Sequence, residues 1–106
     1  MYEYAHDAER KMTALANHFQ HPNELEYRAL NQCARELLLA QSSDWAFQIY
    51  QGTTVEYSSR RFQSHIHRFN LLTEGLDRYE VDEPLLFEIE SRDTIFQEID
   101  YKIYRT

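Results

Sequence analysis

The sequence predicts an all-α domain: an up-and-down three-helix bundle with a short additional C-terminal helix and an extended tail. Three observations predict it. Two glycines and two prolines in 106 residues are too few for an all-β domain, which needs many turn residues. Apolar residues recur at steps of three and four in three long segments, and capping boxes open two of those segments. A chain of 106 residues fits one domain, here taken as residues 1–106. A domain of this size buries only roughly two thirds of its unfolded surface, so its stability is modest.

The first helix is expected from about Tyr2 to Phe19, because Ala5, Ala8, Met12, Leu15, Ala16 and Phe19 share one face. Pro22 disfavours helix at His21 and ends it. The second helix opens with Asn23 as cap and Glu26 three residues on. Its stripe is Leu25, Leu30, Cys33, Ala34, Leu37 and Leu38, and it continues through Trp45, Phe47 and Ile49. Ser42-Ser43-Asp44 can kink it, since short polar side chains compete for backbone hydrogen bonds. Gly52 suits a C-cap. Thr53 with Glu56 opens the third helix, whose stripe runs Val55, Phe62, Ile66, Phe69, Leu72 and Leu76, with Gly75 near its end. A short fourth helix is expected from about Pro84 to Glu90 or as far as Ile95, with Pro84 in the first turn. Ile99 to Tyr104 alternate apolar with polar and read as an extended segment or coil.

Composition excludes several function classes. The formal net charge of -7 opposes nucleic acid and anionic membrane surfaces, which both need clustered Lys and Arg. The longest apolar run, Leu37 to Ala40, is far too short to span a membrane. The start, Met1-Tyr2-Glu3-Tyr4, lacks the regions of a signal peptide. One cysteine, Cys33, forbids an intrachain disulfide and fits a reducing compartment. The expected location is the cytoplasm.

The chemistry-bearing residues form no complete catalytic set. His65 and His67 point to different sides of a helix, and His18 and His21 flank a helix end beside proline. No cysteine or carboxylate signature joins them, so no metal is expected. Cys33 lies on an apolar stripe and reads as core rather than nucleophile. Among eighteen carboxylates, no spacing singles out two that would flank a scissile bond. Arg60, Arg61 and Arg68 form a basic patch flanking His65. They either pair with acidic residues of the second helix, such as Glu36, or dock a partner's carboxylates. Ser42-Ser43-Asp44-Trp45 is the most distinctive segment: Trp45 is core at a kink, or Asp44, Trp45 and Tyr50 meet another domain or a sugar.

The run Arg28-Ala29-Leu30-Asn31-Gln32-Cys33-Ala34-Arg35-Glu36-Leu37-Leu38-Leu39-Ala40-Gln41-Ser42-Ser43-Asp44-Trp45 resembles the C-terminal helical domain of family 57 glycoside hydrolases. More narrowly, it is similar to the α-1,4-glucan branching enzymes of that family. The resemblance continues in Gly52-Thr53-Thr54-Val55-Glu56-Tyr57, Arg60-Arg61, His65, Arg68-Phe69, Glu90 to Phe96 and Ile99-Asp100-Tyr101. His6 to Met12 also fit, so nearly the whole chain is covered. Cys33 departs where alanine is expected, Gln51 where threonine is common and Gln97 where proline is common.

The resemblance implies a non-catalytic accessory domain that packs against a catalytic (β/α)-type barrel and helps shape an α-glucan cleft. The barrel of such an enzyme supplies the glutamate nucleophile and aspartate acid/base that move an α-1,4-linked chain to an α-1,6 branch. Neither motif, nor the family's preceding tryptophans, lies in this sequence, so the expectation is a domain excised from a longer enzyme or the product of a split gene. No cofactor is implied. Ser43, Asp44, Trp45, Tyr50, Arg61 and His65 are the residues expected near the barrel or the glucan. The alternative is a free-standing interaction module that assembles as a homo-oligomer. An independent hydrolase rests only on the carboxylates and histidines.

Overall fold

A computed structural model describes residues 2–49, 55–93 and 99–105, with side chains described for 7–41, 62–93 and 99–105. The elements are α1 (Tyr2–His18), α2 (Glu24–Ile49), α3 (Val55–Asp77), α4 (Glu83–Arg92) and a 3₁₀ turn (Tyr101–Tyr104). Among the described residues there is no strand, and no helix is long and apolar enough to cross a membrane. The all-α expectation is met.

The capping box that opens α2 closes in both directions. Glu26 N–H donates to Asn23 Oδ1 at 2.8 Å, and Asn23 N–H donates to Glu26 Oε1 at 3.0 Å. At α4, Asp82 is the cap, accepting from Leu85 N–H at 3.1 Å, so the helix begins at Glu83 with Pro84 in its first turn. The helix closes at Arg92, and the expected extension toward Ile95 falls outside the described residues. So do Gly52 and the Thr53 cap. Helix α2 runs through Ser42-Ser43-Asp44 without a break in its helical backbone.

Helix α2 is the centre of the fold. Its buried residues are Ala29, Leu30, Gln32, Cys33, Ala34, Glu36, Leu37, Leu39 and Ala40. That set is wider than the single stripe expected from sequence, and it reaches most of the way round the helix. The reason is that α1, α3, α4 and the 3₁₀ turn all pack on it. Helix α3 runs antiparallel to it, setting Glu36 against His65 and Ala40 against Phe62. Phe62, Phe69, Leu72 and Leu76 of α3 are buried as their spacing predicts. From α1, Ala8, Met12, Leu15 and Ala16 join the same core, with Phe19 just beyond the helix end.

Helix α3 ends in a Schellman closure. Glu80 N–H donates to Gly75 O at 2.9 Å, and Tyr79 N–H donates to Leu76 O at 3.1 Å. The left-handed position of the motif is held by Tyr79, at φ 56°, rather than by a glycine. Gly75 serves the same turn differently. A β-carbon there would sit 3.2 Å from the Glu80 carbonyl oxygen, so its absence lets the returning chain approach.

The tail departs from expectation. Asp100 and Arg105 have extended backbone, but residues 101–104 coil into a 3₁₀ turn capped by Asp100. The alternation misled because its apolar members do not share a buried face: Tyr101 is buried, while Ile103 is 64% exposed. The turn is a clasp on α1. Arg105 donates to Ala16 O at 2.9 Å and to Phe19 O at 2.8 Å, and the Tyr101 hydroxyl donates to Phe19 O at 2.6 Å. A cation at the last carbonyls of a helix satisfies both orphaned acceptors and the helix dipole. Arg105→Ala is expected to cost about 1–3 kcal/mol in urea unfolding monitored by circular dichroism. Arg105→Lys should recover only part of that, because an ammonium lacks the guanidinium fork.

Candidate functional site

The one concentration of buried chemistry among the described residues lies where α2, α3 and the end of α4 meet. Glu36 of α2 is fully buried, and so is Gln32 one turn earlier. Glu36 Oε1 accepts from His65 Nδ1 of α3 at 2.9 Å, and Glu36 Oε2 accepts from Gln32 Nε2 at 2.8 Å. Asp93, the residue that ends α4, sets its Oδ2 3.6 Å from His65 Nδ1. Gln32 Nε2 also donates to the Asp93 backbone oxygen at 3.3 Å. Arg35 and Gln32 are hydrogen-bonded through Nη1 and Oε1.

The atoms of Glu36, His65 and Asp93 lie within 4.8 Å of one another, close enough to suggest a cation site. The position they surround already holds a cation. Arg68 Nη1 sits 3.2 Å from Asp93 Oδ2, 3.4 Å from His65 Nδ1 and 4.0 Å from Glu36 Oε1. A metal ion would have to displace the guanidinium and place two positive charges together, so the donor set fits Arg68 rather than a metal. The cluster is also closed to substrate, with Glu36 at 0% and His65 at 5% exposure. A general acid or base must reach the group whose proton it moves, and these groups reach only each other. Among the described residues, no buried side-chain polar atom lacks a hydrogen-bond partner. The cluster is therefore a clasp that ties three helices through one buried carboxyl.

Electrostatics follow from this burial. Desolvation pushes the Glu36 carboxyl up to about 6; the His65 hydrogen bond works against that rise, and the neighbouring Asp93 carboxylate adds to it. Burial likewise drives the Cys33 thiol far above its ordinary value. That agrees with the core reading of Cys33, whose side chain is fully buried.

Of the six residues expected near the barrel or the glucan, His65 is the one whose side chain is described, and it faces inward to Glu36. Ser43, Asp44 and Trp45 lie on α2 and Arg61 on α3, but their side chains, and Tyr50 altogether, fall outside the described residues. The antiparallel register puts Ser43, Asp44 and Trp45 of α2 at the same end of the helix pair as Arg61 of α3, because Ala40 and Phe62 are in contact there. The expected ion pair between Arg68 and Glu36 is present at 4.0 Å, and Asp93, at 3.2 Å, is the nearer partner. Arg60, the patch's remaining member, is also outside the described side chains. The sequence reading missed Gln32 and Asp93. It also missed that His65, three residues after Phe62 and four before Phe69, falls on the buried stripe of α3.

The comparison that decides the family is a match of residues 4–104 to the family described as "1,4-alpha-glucan branching enzyme, C-terminal". The chain belongs to this family. A 1,4-alpha-glucan branching enzyme of Thermococcus kodakarensis is 41% identical over 96 residues, covering 87% of this chain and 14% of that protein. Among solved structures, the α-amylase AmyC of Thermotoga maritima matches with a TM-score of 0.86 and 38% identity, over 97% of this chain and 20% of that one. The GH57-type branching enzyme of Pyrococcus horikoshii matches with a TM-score of 0.79 and 38% identity, again over 97% of this chain and 20% of that one. The branching-enzyme C-terminal domain thus spans between about a seventh and a fifth of these relatives' lengths.

Two measurements check the interior of this C-terminal domain. Glu36 has a raised pKa in the folded state, so folding favours its protonated form. Its contribution is fully present below the ordinary carboxylate value and is lost as pH rises through about 6. Relative to Glu36→Gln, the unsubstituted chain should lose on the order of 1–2 kcal/mol between pH 4 and pH 7. A constant difference between the two denaturation curves across that range would contradict the assignment. The Cys33 thiol should resist a thiol-specific reagent in the native domain and react promptly in denaturant.

Proposed function

We propose that this chain is the non-catalytic C-terminal accessory domain of a family 57 1,4-α-glucan branching enzyme, packing against the catalytic barrel and helping shape the glucan cleft. The observation that carries the reading is the match of residues 4–104 to a branching-enzyme C-terminal family. Its span of only 14–20% of the relatives' lengths fits the role of one part of a larger catalyst. The closed, self-paired Glu36–His65–Asp93–Arg68 cluster supports a structural task for the interior.

Action then falls to the surface. The barrel-facing or glucan-proximal set is proposed as Ser43, Asp44, Trp45, Tyr50 and Arg61. His65 stands behind them as the residue that holds α3 in register. An aromatic ring with neighbouring polar groups suits both a protein contact and the apolar face of a sugar. The reaction of the whole enzyme would transfer an α-1,4-linked chain to an α-1,6 branch, with the chemistry supplied by the barrel.

The test is a chimera. The matching C-terminal segment of the Thermococcus kodakarensis enzyme is deleted, then replaced by this chain. Deletion should abolish or sharply lower branching activity, and the replacement should restore much of it. In the restored chimera, Trp45→Ala or Arg61→Ala should lower activity by about tenfold, the effect of losing roughly 1.4 kcal/mol at an interface anchor. A folded chimera no more active than the deletion would overturn the reading.

A further inference from the structure

The Schellman turn after α3 holds a feature that neither the core nor the clasp explains. Tyr79 occupies the left-handed region at φ 56°, where glycine is the favoured residue and a non-glycine residue is strained. A substitution to glycine would relieve that strain, yet the position carries a large aromatic ring. The ring is held by contacts at the end of α1. Its hydroxyl is hydrogen-bonded to His18 Nε2. Its plane is tilted against Phe19 and His18, with centroids 5.8 and 5.9 Å away. The rest faces outward, and Tyr79 is 62% exposed. A tyrosine serving only as a lid on the core would be mostly covered.

The ring borders an open groove of about 390 Å³ between α1 and α3, with Leu15, Phe19 and Leu76 in its lining. Lys11 and Asp77 also line it, joined by an ion pair in which Lys11 Nζ lies 2.6 and 2.7 Å from the two Asp77 carboxylate oxygens. The pair is substantially exposed. An adjacent donor and acceptor match vicinal hydroxyls, each of which both gives and accepts a hydrogen bond. An immobilised ring beside them matches the apolar face of a pyranose. The chain's net charge of -7 disfavours an anionic ligand, and a neutral sugar is indifferent to it.

We propose that Tyr79, His18, Lys11 and Asp77 form a surface platform for a neutral glucan chain, with Tyr79 as the stacking residue. The choice of an α-1,4-linked glucan rests on the branching-enzyme reading above. Helix α3, with 23 residues, is about 35 Å long, and the platform follows its far end from Arg61. A glucan held there would be kept near the domain without entering the α2–α3 connecting end.

The full chain, isotopically labelled, can be titrated with maltoheptaose and followed by NMR, with cellohexaose as the β-linked control. Maltoheptaose is expected to shift the signals of Tyr79, His18 and Lys11, and cellohexaose to shift them far less. Tyr79→Gly removes the ring while relieving the backbone, so it should bind about tenfold more weakly with an unchanged or higher melting temperature. Should Tyr79→Gly not fold, Lys11→Gln serves instead, and it should weaken binding severalfold. No shift in the unsubstituted chain overturns the platform, as do equal shifts with cellohexaose or undiminished binding in the folded variants. Tyr79→Gly lowering chimera activity without any glucan-induced shift would also overturn it, in favour of a protein contact. Restored chimera activity with no glucan shift overturns this site alone. Glucan binding without restored activity overturns the proposed accessory role and leaves the site standing.

Discussion

A carboxyl group with no exposure, midway along the helix that every other element packs against, constrains the whole domain. Glu36 cannot be left alone there: an unpaired buried charge is far more expensive than any one contact in the core repays. Its two oxygens are taken by His65 and Gln32, and Arg68 balances the charge it shares with Asp93. Each of those partners fixes an element. His65 and Arg68 set the register of α3, and Asp93 sets where α4 ends. Apolar burial supplies most of the drive to fold, but it is non-directional. The buried cluster supplies direction, because satisfied polar networks tolerate one arrangement of their members.

The second device is peripheral. Arg105 and Tyr101 gather the carbonyls at the end of α1 and bind the chain's last described segment to its first helix. Helix α1 otherwise meets α2 largely through small and apolar side chains such as Ala8, Met12 and Ala16, with Glu9 and Gln41 hydrogen-bonded beside them. Apolar contacts are non-directional, and hydrogen bonds to the terminal carbonyls of the helix oppose sliding.

Much of this was legible in the sequence, and the failures have physical causes. The helices were visible because apolar spacing and caps agreed: Asn23 with Glu26, and Pro84 just inside α4, sit where local chemistry puts them. The wider burial of α2 was not visible, because a stripe predicts one buried face and a helix at the centre of a fold has several. Gln32 and Glu36 fall off that stripe, so the spacing does not mark them as buried. Their one legible signal was His65 between Phe62 and Phe69, an ionisable residue on a buried stripe that demands a partner. The 3₁₀ turn departs from the expected extended segment because alternation is a weak signal over six residues, and here Ile103 faces solvent while Tyr101 is buried. Tyr79 was missed because glycine is the expected occupant of a left-handed cap, and Gly75 stood close enough to attract that role. Of the candidate surface residues, the family resemblance suggested more than spacing did, because interface residues carry no periodic pattern of their own.

Native-state hydrogen exchange tests the central claim most directly, since it reads whether α2, α3 and α4 open together. If the Glu36 cluster locks them, amides in Leu30–Leu37, His65–Leu72 and Leu86–Ile89 exchange only through global unfolding, with one shared opening free energy. Amides of α4 exchanging through a lower-energy local opening, while α2 and α3 stay protected, would show that Asp93 is not held and that the cluster does not organise the fold.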